Sequence, residues 1–110
     1  MEIREQNIND AFVLRLSGRL DELATAEVEL AFSALVQKDA RKVVVDLAGV
    51  DYISSSGLRV LLMLWKALEK THGQLRLCGL VPFVVEVFGI SNFDKIFSIH
   101  GGVEDALAAL

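Results

Sequence analysis

Residues Lys42 to Lys70 read KVVVDLAGVDYISSSGLRVLLMLWKALEK. The run Lys42 to Leu47 is built on the continuous apolar, β-branched Val43 to Val45, the pattern of a strand covered on both faces. Gly49 follows, and then Ser54, Ser55, Ser56 and Gly57 stand directly before a long segment with helical spacing. A buried strand that hands over to a helix through small polar residues is the basic unit of an α/β sheet. It also raises a chemical question, because one capping serine would be enough to start a helix.

Toward the N-terminus, Glu2–Ile8 and Ala11–Ser17 are short strand-like runs around Asn9-Asp10, a turn dipeptide, and predict an opening antiparallel hairpin. Between about Ala24 and Lys38, Val28, Ala31, Phe32, Leu35 and Val36 recur at steps of three and four, which predicts an amphipathic helix. Beyond Lys70 the reading gives a strand at Gln74–Leu80 and a short helix from Pro82 to about Phe88, closed by Gly89. A strand at Asp94–Ile99 and a last helix at Val103–Leu110 complete it. Alternation of strand and helix after the hairpin implies right-handed crossovers. The expected fold is α/β: residues 1–110 as a single domain, with a mixed, mostly parallel sheet of about five strands and about four helices.

Bulk properties narrow the function. A chain of 110 residues suits one core. A net charge of −4 argues against a phosphate-backbone interface, so no direct nucleic-acid partner is expected. Cys78 is the single cysteine and lies in an apolar context, so it reads as a small buried hydrophobe. The polar start resembles neither a leader nor a membrane span, and a cytoplasmic protein without membrane insertion is expected.

The helix beyond the serines has two unlike sides. At 3.6 residues per turn, Leu58, Leu61, Leu62, Trp65 and Leu68 form the stripe expected to face the sheet. The other side carries Ser56, Arg59, Val60, Met63, Lys66, Ala67 and Lys70. That face is more apolar than water requires, and such surfaces mark partner contacts. The plainer account is that Ser54 or Ser55 caps the helix, that the other serines fill a tight turn, and that the bases suit the dipole at the helix end. Periodicity alone leaves the two even.

The stretches DLAGVDYISSSGLRVLL and NFDKIFSIHGGVEDALAAL resemble a STAS domain of the bacterial anti-sigma-factor antagonist type, over essentially the whole chain. The resemblance implies a non-catalytic partner-switching regulator. In that scheme the unmodified protein binds an anti-sigma factor that is also a serine kinase, phosphorylation of one serine at the helix start releases it, and a serine phosphatase resets it. The family motif Asp-Ser-Ser-Gly-Leu places the phosphoacceptor at Ser56, with Ser55 as second choice; Gly57 and Leu58 match, and Ser54 stands where aspartate is usual. The GRLD tetrad makes Asp21 a partner contact by the same resemblance. The expected partner-binding set is Asp21, Ser54, Ser55, Ser56, Gly57, Arg59, Val60, Met63 and Lys66. STAS-like domains also act as accessory or scaffold subunits, for example of lipid-transport ABC complexes, and that is the alternative reading.

Other classes find less support. The nucleophile elbow Gly-x-Ser-x-Gly and the Walker pattern are absent. His72 lies 16 residues along the helix from Ser56, about 24 Å away, which leaves His100 as the one candidate base for a serine hydrolase. Two histidines and one cysteine without carboxylates at ligand spacing make no metal site; neither catalytic residue nor cofactor is expected. Trp65, Phe32, Phe83, Phe88, Phe93 and Phe97 read as packing residues, and Glu22, Glu27 and Glu29 as a solvated face. The first strand, as a sheet edge, leaves a homodimer open.

Overall fold

In the computed structural model, which describes residues 1–110, Asn9 and Asp10 both take left-handed backbone, with φ of 51° and 65°. Two such residues make the hairpin turn whose twist matches that of its strands. They join β1 (Glu2–Ile8) to β2 (Ala11–Leu20) in antiparallel register. β3 (Lys42–Ile53), β4 (Gln74–Cys78) and β5 (Ser98–His100) then add in parallel, giving the spatial order β1-β2-β3-β4-β5. The helices between and after them are α1 (Thr25–Gln37), α2 (Ser55–Lys70), α3 (Pro82–Ile90) and α4 (Val103–Ala108).

Side-chain alternation assigns the faces. Leu14, Leu16, Val43, Val45, Leu75 and Leu77 share one buried cluster with Phe32 of α1, Leu61 of α2 and Phe88 of α3. The alternate positions Val13, Val44 and Cys78 meet Ala106 of α4 on the reverse face. β3 is therefore apolar on both sides because both sides are covered. Each fully buried aliphatic side chain contributes about 1.5–3 kcal/mol, and 28 buried apolar residues supply the core of this small domain.

Several boundaries differ from the sequence expectation. β3 runs on to Ile53, past Gly49. A side chain at Gly49 would collide with Ser17, so glycine here permits close approach of β2 and β3 rather than ending the strand. The β2–β3 register shifts between Arg15 and Ser17 and again between Gly18 and Arg19, where the strands bulge. β4 stops at Cys78, and Gly79 turns the chain with φ 72°. α3 continues through Gly89 to Ile90, and Asn92 ends the segment in left-handed backbone. The strand expected over Asp94–Ile99 is instead a single 3-10 turn at Phe93–Lys95 followed by three paired residues. The last helix ends at Ala108. No helix is long and apolar enough to cross a membrane.

The sheet-facing stripe of α2 also needs correction. Leu58, Leu61 and Leu68 are buried as expected, but Leu64 is the fourth core leucine, while Leu62 and Trp65 sit half-buried at the flank. Val60, expected to face outward, is only 4% exposed. α1 packs beside α2, and the seam between them covers that position.

Candidate functional site

The C-terminal ends of β2 and β3 lie side by side, Leu20 opposite Ile53, and the head of α2 starts there. Ser54 is the cap. Its Oγ accepts a hydrogen bond from the Gly57 amide at 3.2 Å and donates to the Leu20 carbonyl at 3.3 Å, while its own amide donates to the same carbonyl at 3.0 Å. A side-chain acceptor on an early helix amide is what the unpaired N–H groups of a helix start require. Gly57 is buried in the junction. A Cβ at that position would lie 2.7 Å from the Leu20 carbonyl oxygen and 2.8 Å from Ile53 Cγ1, so no larger residue fits without moving the helix.

With capping assigned to Ser54, Ser55 and Ser56 are left without a hydrogen-bonding role inside the chain. Ser55 points to solvent, and Ser56 is half-buried at the top of a depression with Thr25, Glu29, Arg59, Val60 and Met63. That depression runs into a second one between α1 and α2, about 280 Å³ in volume, floored by Phe32, Val36, Val60, Leu64 and Ala67. Glu29, Val60 and Met63 belong to both. Ser56 therefore stands at the head of an apolar groove. Arg59, Met63 and Lys66 lie along its exposed α2 side, with Met63 48% exposed. Val60 is part of the groove floor and of the core, so it is corrected from an exposed contact to a buried support.

Asp21 has a structural task of its own. Its Oδ1 accepts from the amides of Leu23 (3.1 Å) and Ala24 (3.2 Å), and its carbonyl accepts from Ala24 and Thr25, which starts α1. Oδ2 lies 3.7 Å from Arg19 Nε. The Arg19 guanidinium in turn sits 4.1 Å from the Tyr52 ring centre, and Tyr52 stacks on Phe83 at 6.0 Å. Phe83, expected as packing, is 47% exposed, and Leu23 beside Asp21 is 89% exposed. Leu23 carries no periodic signal because it is in a loop, and the helical phase that reads Phe83 as packing rests on only the first turn of a nine-residue helix.

The remaining candidates separate from this site. His100 Nε2 is 2.9 Å from Ser98 Oγ on β5, two strands away from β3, and takes no part in the α2 junction. Cys78 is buried beneath α4, and burial, reinforced by the nearby Asp46 carboxylate, pushes its thiol up to about 12 against a partial opposing pull from Arg15. The thiol is thereby kept neutral and unreactive.

Comparison with known proteins places this geometry. The STAS domain family model matches residues 2–106. A Bordetella bronchiseptica protein provisionally named anti-sigma factor antagonist BtrV is 40% identical over 109 residues, covering 99% of this chain and 94% of that one. The crystal structure of an anti-sigma factor antagonist from Mycobacterium paratuberculosis superposes with a TM-score of 0.90 at 25% identity, covering 98% and 92% of the two chains. Bacillus SpoIIAA in its phosphorylated form shares the fold, with a TM-score of 0.76 at 20% identity over 98% and 97%. From the capped head of α2 to the whole-chain match, the chain belongs to the STAS domain family, in its anti-sigma factor antagonist branch.

Proposed function

We propose that the unmodified chain binds an anti-sigma factor through the head of α2 and the exposed side of that helix. We further propose that this partner is a serine kinase whose phosphorylation of Ser56 ends the binding, and that a phosphatase restores it. The observation that carries this reading is the division of labour among the serines. Ser54 holds the fold together, and the hydroxyl of Ser56 is spent on nothing inside the chain while standing at the lip of an apolar groove.

The energetics favour a switch that leaves the domain folded. A phosphate adds a charge of about −1.5 to −2. At Ser56 it meets the positive end of α2, worth roughly 0.3–1 kcal/mol, and Arg59 one turn on, worth roughly 0.2–0.5 kcal/mol. The same group enclosed in an interface without a cation of its own costs on the order of several kcal/mol, and each 1.4 kcal/mol is about tenfold in affinity. Loss of the interface outweighs the local gain. Asp21 and Leu23, on the loop that leads from β2 into α1, are proposed as further contacts.

The test is to incubate the protein with its anti-sigma factor and ATP, map phosphate by mass spectrometry, and measure binding of both forms. Phosphate at Ser56, its disappearance in Ser56→Ala, and at least a tenfold loss of affinity with an unchanged melting temperature are expected. Phosphate at Ser55 moves the acceptor by one residue. Undiminished binding of the phosphorylated form overturns the switch.

A further inference from the structure

The groove between α1 and α2 has a charge pattern that the apolar floor does not explain. Arg59, Lys66 and Lys70 fall on one stripe of α2 beside Met63, all exposed. Of the eight other bases, Arg4, Arg15, Arg19, Lys38 and Arg41 lie within ion-pair distance of a carboxylate; Arg59, Lys66 and Lys70 do not, and neither do Lys42, Arg76 and Lys95, which lie on other parts of the surface. The α1 side of the groove offers Glu29 as its one charge, with Ser33 and Gln37 below it. Three bases thus face one acid in a chain whose net charge is −4. Lys70 in the last turn suits the helix dipole, but Arg59 lies near the positive end of α2, where a base is disfavoured and where the first turn of the helix carries no acid.

From this pattern we infer that the groove receives an acidic amphipathic helix of the partner protein. Its apolar side would lie on Phe32, Val36, Met63 and Ala67, and its carboxylates would lie along Arg59, Lys66 and Lys70. An apolar floor open along its length, with a rim that is mainly basic, matches the helix-in-groove mode of recognition, and charge complementarity sets which helix enters. Ser56 to Ala67 spans about 16 Å of axis, the length of about three turns. The exposed methionine gives the floor a contact able to adapt to different apolar side chains.

The inference rests on the proposed function in assigning the helix to the anti-sigma factor, and in one consequence. A phosphate on Ser56 would engage Arg59 and cancel most of the positive rim, so the acidic helix would lose its counter-charges at the moment the switch is set.

The test pans a phage-displayed library of helical twelve-residue peptides against the unphosphorylated protein. Enriched peptides with apolar residues at i, i+3, i+4 and i+7 and Asp or Glu along one flank are expected. Their binding should fall at least tenfold with Lys66→Glu/Lys70→Glu, or with the milder Lys66→Gln/Lys70→Gln should the first variant lose its circular dichroism spectrum. Peptide contact should shift the Met63 methyl resonance. No enrichment, winners without acids, or winners that bind the variants equally overturn the inference. Phosphate mapped to Ser56 alongside any of those outcomes removes the acidic helix alone. Acidic winners with no phosphorylation and no loss of affinity remove the switch and leave the groove assignment standing.

Discussion

Ser54 and Leu20 are joined twice, since the amide and the hydroxyl of the serine both donate to the one leucine carbonyl, at 3.0 and 3.3 Å. The hydroxyl also accepts from Gly57. Ser54→Ala removes the cap and costs about 1 kcal/mol, a fall of about 4 °C in Tm for a domain of this size. Ser54→Asp, which restores the residue usual in the family, keeps an acceptor for the Gly57 amide and loses only the weaker bond to Leu20. Thermal melts should place it within about 0.5 kcal/mol of the parent. A loss as large as that of alanine would show that the hydroxyl donation matters more than the cap.

Gly57→Ala has no room to relax, because the atom nearest the new methyl is a backbone oxygen. Urea denaturation should show a loss of about 1–3 kcal/mol, with anti-sigma factor binding impaired as well, since displacement of the helix head carries Ser56 with it. Parent-like stability and binding would mean that the junction yields.

At Asp21, capping and contact can be told apart. Asp21→Ala removes the acceptor for the Leu23 and Ala24 amides and should cost about 1 kcal/mol. Asp21→Asn retains an acceptor and should melt near the parent temperature while binding the partner more weakly. Equal affinities for parent and asparagine variant would confine Asp21 to its turn.

Val60 and Met63, neighbours on α2, should respond in opposite ways to the same change. Val60→Asp buries an unpaired carboxylate and should cost about 3–5 kcal/mol. Met63→Asp, at a half-exposed position, should change stability by no more than about 0.5 kcal/mol and reduce partner binding. Denaturant titration separates the two, and a Val60→Asp variant as stable as the parent would contradict the packing of α1 on α2.

Cys78 predicts a pH effect. Its pKa rises from 9.0 to about 12 on folding, so above pH 9 the unfolded chain holds fewer protons at this site than the folded one, and stability falls as pH rises. The stabilising contribution is complete below pH 9 and declines across the window from 9 to about 12. Denaturation of parent and Cys78→Ala at pH 8 and 10.5 should show the parent losing more, and iodoacetamide should label the native thiol only after denaturant is added.

How much of this was legible in the residues depends on the range of the forces involved. Asn9-Asp10, the β-branched Lys42–Leu47 and Pro82 act over a few residues, and the hairpin, the central strand and the start of α3 lie where they predict. Local propensity ends the central strand at Leu47 and closes α3 at Gly89, yet the strand runs on through Gly49, which Ser17 demands across the sheet, and Gly89 is simply tolerated within α3. Asp94–Ile99 has strand-like composition, but Phe93 and Phe97 pack on Phe88, and that aromatic contact winds the segment into a turn. On α2 the 3.6-residue period located Ser56, Arg59, Met63 and Lys66 on the exposed side and misplaced Val60. A periodic pattern records one buried side of a helix, and it holds no account of a neighbouring helix that covers part of the second. The serines show the same limit. Their number signalled a special turn, while the assignment of the cap to Ser54 needed the carbonyl of Leu20, 34 residues earlier.

That carbonyl has one more consequence. Through two atoms of one residue it moors the start of α2 to the end of β2, so a mark written on Ser56 lands beside a fixed point of the sheet. A partner that reads the mark by its charge has to stand within about 8 Å, since beyond that distance the ions of the cell largely screen it. In a larger assembly, such a module would pass its state on by direct touch.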